Sequence, residues 1–483
     1  IIICALSTMP IFYLTWYTLS LMRIAITYPP LESEKGRALL SQNRQFQWSK
    51  SPTIAFPVIP ASAATLLKQN GHQVLWLDAI AEKLSYSNWL ENLKAFKPDL
   101  IFMETKTPAI KKHWQVIKKL KRSLPKSKIV LAGDHVTALP QESKKNSPVD
   151  HIIKGGHYDL ELLALCQKTS VPTKVDLDKL PLIDRNLTKW HLYSQDNGNF
   201  KRTPATYTMF GRDCWWRKDG GCTFCSWTTI FPRFSLRSAE NCLDEVGQLI
   251  DLGVKEIFDD TGTFPAGKWL QDFCKGMVKK GYSKKISIGC NLRFGHLQKK
   301  DYQLMKAANF RFLLFGLESA NQKTVDKLNK GTKMDKIEKE LEIIKKVGGL
   351  EPHITCMIGY PWESKKDAQN TINLVKNFFK KGLISSLQAT IVIPYPGTKL
   401  FKQAKKNGWL KTLNWDRYDM KEPILKTSLT NKQIHQLTQS LYTSAITPNF
   451  ILRTLKDLIK NPTHLPYYLK STTQYIARLL DFN

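Results

Sequence analysis

The chain has 483 residues, of which 42% are hydrophobic, and its 72 Lys and Arg against 41 Asp and Glu give a formal net charge of +31 at pH 7. This length suits two to four domains with an ample core, and the hydrophobic content is ordinary for a globular protein. Nine cysteines at irregular spacing are too sparse for a disulfide framework.

Lysines occur along the whole chain, which is typical of a solvated basic surface. An anionic substrate, a membrane surface and RNA are the functional alternatives. No block of basic residues alternates with aromatic residues, so nucleic acid is not expected as a partner.

The first 22 residues contain no charged side chain and are long enough to span a bilayer. They lack the basic region and the cleavage site of a signal peptide, and the sequence does not begin with Met. We interpret residues 1–21 as an uncharged N-terminal extension outside the working enzyme, with a membrane anchor as the alternative. No later segment has the length and apolar character of a membrane-spanning helix. We expect a cytoplasmic protein, with membrane association as the alternative.

Residues 22–168 alternate short β-prone runs with helical periodicity, which predicts a parallel sheet with helices on both faces. The predicted strands are residues 23–28, 73–77, 99–103, 128–132 and 151–153. Five such strands indicate a flavodoxin-like (Rossmann-type) doubly wound fold, whose ligand binds beyond the carboxyl ends of the strands. Thr105, Gly133 and Gly155 follow strands at that edge.

Residues 169–202 are rich in Pro, Asp and Asn and are predicted to be an irregular linker. Alternation resumes over residues 203–401, with strands predicted at residues 205–210, 256–258, 286–291, 312–316, 353–358 and 388–393. Six such units are too few for the eightfold barrel, whose sites lie at the carboxyl ends of the strands. Residues 402–483 are predicted to be a helical C-terminal region.

Three cysteines follow the first strand of this second unit: Cys214, Cys222 and Cys225. Thiolates this close in sequence can hold an iron–sulfur cluster. Three ligands leave one iron of a four-iron cluster open to a substrate or cofactor, as in catalytic metal sites generally. Zinc, with Cys242 as the nearest fourth ligand, and a redox pair of the last two cysteines are the alternatives.

The later strands of this unit also end in residues suited to ligand binding. These candidates are Asp259, Asp260, Thr261, Arg293, Glu318, Ser319, Ile358 and Gly359. Each acidic residue alone would be interpreted as a helix cap or a surface ion pair. Because they follow successive parallel strands, one shared site is the stronger hypothesis.

The cysteine loop resembles that of the radical S-adenosylmethionine (SAM) superfamily, whose usual form is Cys-x3-Cys-x2-Cys with an aromatic residue before the last cysteine. Phe224 supplies the aromatic, while seven residues replace the usual three in the first gap. Gly316-Leu317-Glu318-Ser319 is close to the family's Gly-Leu-Glu-Ser-Gly run. Residues 357–363 are similar to its Gly-x-Pro-Gly-Glu run, and residues 394–398 resemble the close of the sixth strand in cobalamin-linked members. The resemblance implies a partial (β/α)6 TIM-like barrel.

The resemblance also assigns roles around SAM and a [4Fe-4S] cluster. The cluster ligands would be the three cysteines. Asp259, Asp260 and Thr261 would hold the amino group of SAM, and Arg293 would pair with its carboxylate. Glu318, beside Ser319, would bind the ribose or the amino group. Ile358 and Gly359 would flank the adenine.

The N-terminal unit resembles the cobalamin-binding domain that precedes many radical SAM enzymes. The resemblance rests on Gly71-His72, on residues 132–140 and on the Gly155-Gly156 turn. It implies cobalamin contacts at Thr105, Gly133, His135 and Gly155. The Asp-x-His-x-x-Gly motif that supplies a lower histidine ligand is absent, so the cobalt would lack a histidine from that motif. A domain that binds nothing is the alternative.

Over residues 22–441 the chain looks most like the cobalamin-dependent class, which implies SAM cleavage to a 5'-deoxyadenosyl radical and methylation of an unactivated carbon. Cyclisation or rearrangement, a tRNA methylthiotransferase-like activity and a non-catalytic cobalamin or SAM sensor are alternatives. A methylthiotransferase needs three further N-terminal cysteines, and only Cys4 and Cys166 occur there. The expected partners are a small-molecule, lipid or peptide substrate and an electron donor such as flavodoxin or ferredoxin.

One active site shared by two domains predicts their geometry. Both sheets should turn the carboxyl ends of their strands toward each other. Cobalamin would lie between them, with its lower face on residues 104–108.

Overall fold

The computed structural model describes residues 21–40, 47–49, 54–171, 174–195 and 199–480. All but the last residue of the expected N-terminal extension therefore lies outside the described part of the chain. Across these ranges, no helix combines the length and the apolar character needed to cross a membrane.

The described residues form a series of strands and helices, numbered here in chain order. The strands are β1 Arg23–Tyr28, β2 Glu32–Ser33, β3 Gly36–Leu39, β4 Gln47–Ser49, β5 Gln73–Asp78, β6 Leu100–Thr105, β7 Lys128–Gly133, β8 His151–Ile152, β9 Ala205–Thr208, β10 Gly211–Arg212, β11 Ser235–Leu236, β12 Glu256–Asp259, β13 Ser287–Leu292, β14 Phe310–Glu318, β15 Glu351–Ile358 and β16 Ser386–Ile391. The helices are α1 Val58–Gln69, α2 Tyr86–Phe96, α3 Ile110–Ser123, α4 Asp134–Ala138, α5 Pro140–Asn146, α6 Tyr158–Gln167, α7 Trp227–Ile230, α8 Ala239–Asp251, α9 Lys268–Lys279, α10 Lys299–Ala307, α11 Gln322–Lys327, α12 Met334–Val347, α13 Lys365–Lys380, α14 Lys399–Lys406, α15 Asn431–Thr443, α16 Pro448–Lys460 and α17 Leu465–Leu480.

The first sheet is parallel, with the strand order β5-β1-β6-β7-β8. This is the order 2-1-3-4-5 of the flavodoxin-like fold and confirms that prediction. All six residues of β6 are buried, because helices cover both faces of such a sheet. The prediction missed a small antiparallel sheet of β2, β3 and β4, whose short strands lack a clear alternating pattern.

The second sheet contains β9 and β12 to β16 as six parallel strands in sequence order, curled into a half-barrel. The predicted strands and helices of this unit are all present, with ends that move by a few residues. Local signals explain several boundaries. Ser364 caps α13 in a capping box with Asp367, and Thr430 caps α15 in a capping box with Gln433.

Residues between the two sheets are irregular, as predicted, but they are tightly packed. Arg185 is buried; it donates to Thr206 Oγ1 at 3.1 Å and forms an ion pair with Glu245 at 2.9 Å, both in the second unit. Tyr193 donates through its hydroxyl to Asp78 in the first sheet at 2.8 Å. The segment therefore joins the two sheets through buried polar contacts, and one cluster of buried apolar side chains is continuous across both.

The carboxyl edges of the two sheets face each other, as expected for a shared site. Helix α4, which follows β7, contacts α7, which follows the cysteine loop. A Cβ added to Gly156 would lie 2.5 Å from the ring of Phe231, so only glycine allows this approach. Arg212, at the end of β10, forms an ion pair with the buried Asp159 of α6.

Candidate active site

The cysteine loop is tied at its base and along its length to neighbouring elements. Strands β10 and β11 pair across its two ends. Thr223 N–H donates to Leu328 O at 3.0 Å, and Thr223 O accepts from Leu400 N–H at 2.8 Å. These bonds connect the loop to the ends of α11 and α14, so its cysteines are positioned by the half-barrel itself.

The long gap before the second cysteine forms an extra turn. Trp215–Asp219 is a short 3-10 helix, and Gly220 and Gly221 follow with φ of +91° and +67°, a conformation that favours glycine. Asn329 Nδ2 donates to the carbonyls of Asp219 and Gly221 at 2.8 and 2.9 Å. The longer gap is therefore accommodated as a compact turn held by Asn329.

The three cysteines are half-buried, and none is in a disulfide. Cys214 Sγ lies 3.1 Å from Thr263 Oγ1, and Cys222 Sγ lies 4.0 Å from Arg293 Nη1. A Cβ on Gly262 would lie 2.7 Å from Cys214 Cβ, so this glycine lets the loop after β12 approach the cysteine loop. Among the described residues, no three His, Cys, Asp or Glu side chains converge closely enough to hold a metal ion.

Burial and nearby cations act in opposite directions on Cys222. Burial raises the pKa of its thiol, while Lys330 and Arg293 lower the pKa and so favour the thiolate. The guanidinium of Arg293 lies over the Trp216 ring, 3.7 Å from its centroid, and hydrogen-bonds the Lys330 carbonyl. Burial lowers the pKa of Arg293 itself.

The two adjacent carboxylates after β12 have different surroundings. Asp259 is fully buried and accepts from Phe210 N–H at 2.7 Å and from the Thr261 hydroxyl at 3.0 Å, so it organises the loop. Burial raises its pKa to about 7. Asp260 accepts from Asn291 Nδ2 at 3.3 Å. Thr261 uses its hydroxyl inside the loop, because Gly211 N–H donates to it at 2.8 Å.

Glu318 ends β14 at a register shift and has a φ of +67°, which is uncommon outside glycine. Its carboxylate pairs with Lys330 Nζ at 2.7 Å, and both side chains are 7% exposed. A Cβ on Gly316 would lie 2.2 Å from Lys330 Nζ. Ser319 is buried beside Glu318, and its hydroxyl accepts from Asn321 N–H at 3.2 Å.

The end of β15 forms an apolar wall with buried polar atoms. Ile358 is buried, and Gly359, with φ of +97°, donates its N–H to Glu363 at 2.8 Å. Burial raises the pKa of Glu363 to about 7. Tyr360 stacks on Trp362 with ring centroids 5.5 Å apart, and both belong to a cluster that also includes Phe224.

Several buried polar atoms at this edge have no hydrogen-bond partner among the residues that the structure describes. They are Thr208 Oγ1, Thr223 Oγ1, Tyr360 OH and Glu363 Oε1. Buried polar groups are nearly always bonded, so these four atoms are candidates for contact with a ligand.

The candidate residues of the first sheet lie at its carboxyl edge. Thr105 Oγ1 is 3.0 Å from His113 Nδ1, and a Cβ on Gly133 would lie 2.1 Å from Thr105 O. Gly155 has φ of +103°, and a Cβ there would lie 3.1 Å from Ile230 O. The structure thus brings Gly155 to the segment that follows the cysteine loop.

His135 is fully buried, and protein groups engage both of its ring nitrogens. Nε2 lies 3.2 Å from Glu142 Oε2, and Nδ1 lies 3.3 Å from Thr107 Oγ1. Trp415 packs against its ring, with centroids 5.2 Å apart. These contacts support interpreting His135 as a structural hydrogen-bonding residue rather than a ligand.

Sequence reasoning missed Lys330, Trp216 and Thr263, which contact Glu318, Arg293 and Cys214 respectively. Lys330 follows a helix end in an Asn-Lys-Gly turn, and nothing in its sequence distinguishes it from the other lysines. The turn itself was the only available signal.

Comparison with known proteins agrees with this geometry. Residues 209–375 match the family model described as the Radical SAM superfamily. Over these residues the chain is similar to that superfamily. An uncharacterized methyltransferase of Pyrococcus horikoshii is 27% identical over 472 residues, which cover 92% of this chain and 95% of that protein. The anaerobic magnesium-protoporphyrin IX monomethyl ester cyclase of Rubrivivax gelatinosus is 22% identical over 408 residues, or 77% and 70% of the two chains.

Two solved structures share this fold over most of the chain. One is the radical SAM methyltransferase TsrM from Kitasatospora setae, solved with cobalamin and a [4Fe-4S] cluster. It matches with a TM-score of 0.61 at 12% sequence identity, and the match covers 81% of this chain and 79% of TsrM. The cobalamin-dependent SAM radical enzyme OxsB, solved with aqua-cobalamin and SAM, matches with a TM-score of 0.68, covering 96% and 72% at 14% identity. Both confirm the predicted fold.

The match to the radical SAM family model implies a [4Fe-4S] cluster and SAM as cofactors. The residues present fit them: three cysteines outside any disulfide lie on one loop, with two cations near Cys222 and unpartnered buried polar atoms along the same edge.

Proposed function

We propose that this chain is a cobalamin-dependent radical SAM methyltransferase that methylates an unactivated carbon of a small-molecule substrate. The observation that carries the proposal is the meeting of two carboxyl edges, one bearing the cysteine loop and the other belonging to a 2-1-3-4-5 sheet. When bound, the cluster supplies an electron for SAM cleavage, and cobalamin supplies a methyl group.

The proposed cluster ligands are Cys214, Cys222 and Cys225. Lys330 and Arg293 assist by favouring the thiolate of Cys222.

The proposed SAM contacts use the polar ends of the strands. Arg293 is held over Trp216 and donates to the Lys330 carbonyl, and its planar guanidinium would pair with the carboxylate of SAM. Glu318 is held by Lys330 and would accept from the ribose hydroxyls. Asp260 is the better of the two adjacent carboxylates for the amino group, since hydrogen bonds within the loop engage both oxygens of Asp259.

The proposed cobalamin site lies at the carboxyl edge of the first sheet, near Gly133 and Gly155. Both glycines have positive φ, so the backbone turns there without side chains. Glu104 Oε1, on the predicted lower-face loop, is buried with no hydrogen-bond partner among the described residues, although Lys106 Nζ lies 3.7 Å away. The contacts of His135 support a cobalt without a histidine ligand.

The cluster assignment is tested by anaerobic purification of Cys214→Ala, Cys222→Ala and Cys225→Ala, with iron, sulfide and reductive SAM cleavage measured. Each variant should lose the four-iron cluster and the release of 5'-deoxyadenosine. Cys274→Ala is the matched control, because Cys274 is a buried core residue of α9 and should be dispensable. A Cys214→Ala protein with a full cluster and activity would show that the wide-gap motif has been misinterpreted.

Methyl transfer is tested with SAM carrying a deuterated methyl group, an electron donor such as flavodoxin or ferredoxin, and small-molecule extracts as substrate. A product that carries the label supports the proposal. Turnover by a preparation without cobalamin would overturn it, and SAM and cobalamin binding with no 5'-deoxyadenosine under reduction would indicate a sensor.

Cyclisation or rearrangement is the second candidate function, because one relative that spans most of the chain is named a cyclase. An altered but unlabelled product would favour it. Relatives named methylthiotransferases match a smaller share of the chain, about 60%.

A further inference from the structure

Among the residues that the structure describes, none covers the apolar side of helix α16. None of its 13 residues is buried. Ile451, Leu452, Leu455 and Ile459 are 48%, 56%, 51% and 79% exposed. At about 100° per residue, the four lie within a single arc of about 100° on the helix. A surface helix of a globular protein normally turns such a face to the core.

Helix α17 repeats this arrangement. Leu465, Leu469 and Ile476 are exposed, and the spacing puts them on one face with Thr472 and Thr473 between them. The two helices together therefore expose seven large aliphatic side chains, more than single scattered surface residues would give. We name these seven residues the outer face.

The opposite sides of both helices pack on the half-barrel. Asp457 accepts from Tyr468 OH at 2.6 Å and lies 3.4 Å from Lys201 Nζ. The same ammonium lies over the rings of Tyr467 and Tyr468, at 5.5 and 5.4 Å. Since Lys201 pairs with Glu351 at the start of β15, these contacts are at the amino ends of the strands. The outer face is thus directed away from the barrel, at the end opposite to the cysteine loop.

The charge beside the outer face is strongly positive. Residues 448–480 contain five Lys and Arg and a single acidic residue, Asp457, which is paired inward. Lys456 borders the apolar arc of α16, with Lys460 next to it around the helix, whereas Arg453 lies on the opposite side and donates to Ile384 O at 3.2 Å. Two copies of this face would bring like charges together, so self-association is disfavoured. An anionic surface complements both the charge and the apolar residues.

We propose that the outer face docks on an anionic membrane surface, with α16 and α17 lying in the plane of the interface. Apolar side chains flanked by basic residues are the features by which interfacial helices bind lipid, and anionic headgroups attract the basic border. Docking at the amino ends of the strands leaves the opposite edge, with the cysteine loop, facing away from the lipid.

The test is co-sedimentation of the full chain with vesicles of phosphatidylglycerol and phosphatidylcholine, and of phosphatidylcholine alone. Wild type should bind the anionic vesicles and lose affinity as salt rises. The triple variant Leu452→Glu, Leu455→Glu, Ile459→Glu should bind at least tenfold more weakly. Val278→Glu is the matched control, because Val278 is a 50% exposed aliphatic residue on another helix and should not change binding.

Light scattering and circular dichroism of the same samples separate docking from other causes. Equal binding to neutral vesicles, no binding by wild type, or full binding by a correctly folded triple variant would overturn the proposal. A wild-type dimer that the triple variant abolishes, without vesicle binding, would assign the outer face to a second copy of the chain and would also overturn it. Weaker binding by Lys456→Glu, Lys460→Glu would support the role of charge.

Discussion

Replacing Asp259 with Asn should change how stability depends on pH while leaving SAM affinity within about twofold. The carboxylate is fully buried and accepts from Phe210 N–H and from the Thr261 hydroxyl and N–H. Burial, which outweighs these bonds, raises its pKa from an ordinary 3.8 to about 7. Asn keeps one acceptor and removes the titration.

The magnitude follows from proton linkage. Between about pH 4 and pH 7, folded Asp259 keeps a proton that the unfolded chain has lost, so its contribution to stability falls as the pH rises and is flat above about 7. A pKa about 3 units above the unfolded value corresponds to about 4 kcal/mol. Loss of the acceptor for Thr261 N–H costs the variant about 1–3 kcal/mol at every pH. Relative to wild type, the variant should therefore gain about 3 kcal/mol of stability between pH 5 and pH 8, and it should be the more stable of the two near pH 8.

Urea unfolding followed by tryptophan fluorescence at a series of pH values measures this difference. Asp272→Asn is the matched control, since Asp272 forms an exposed ion pair with Lys268 on α9 and should leave the pH dependence unchanged. A stability difference between wild type and Asp259→Asn that stays constant from pH 5 to pH 8 would refute the reasoning. A large loss of SAM affinity in the variant would instead indicate that Asp259 contacts SAM directly.

Two further substitutions test the supports of the site. Lys330→Met should destabilise the protein by about 3–5 kcal/mol, because it leaves the buried Glu318 carboxylate without its partner. The control Lys268→Met, at an 86% exposed lysine, should change the stability by less than about 1 kcal/mol. Urea unfolding at pH 7.5 measures both variants. Gly262→Ala should lower the iron bound per chain, because the new methyl group would meet Cys214 Cβ at 2.7 Å and displace the cysteine loop. Iron content equal to wild type would show that the loop tolerates this displacement.

The strands and helices around both sheets could be predicted because the residue pattern of each element reflects how that element is buried. Strands buried on both faces are continuous apolar runs, and the helices between them carry a 3.6-residue period, so the chain order of strands and helices follows from sequence. The cysteine loop and the strand-end residues share this advantage: parallel strands put their carboxyl ends at one edge, so Cys214, Arg293 and Glu318 had to meet there.

Tertiary structure alone decided which of these residues are available to a ligand. Asp259 and Asp260 are equivalent in sequence, and only packing shows that the first is bonded within the loop. Lys330 pairs with Glu318, which lies 12 residues earlier in the sequence. Nothing in the sequence around a lysine in a turn identifies its partner. Ion pairs, the meeting of two sheet edges and the uncovered side of α16 depend on contacts distant in sequence. Hydrophobic periodicity records that a face is apolar, but it cannot record what covers that face.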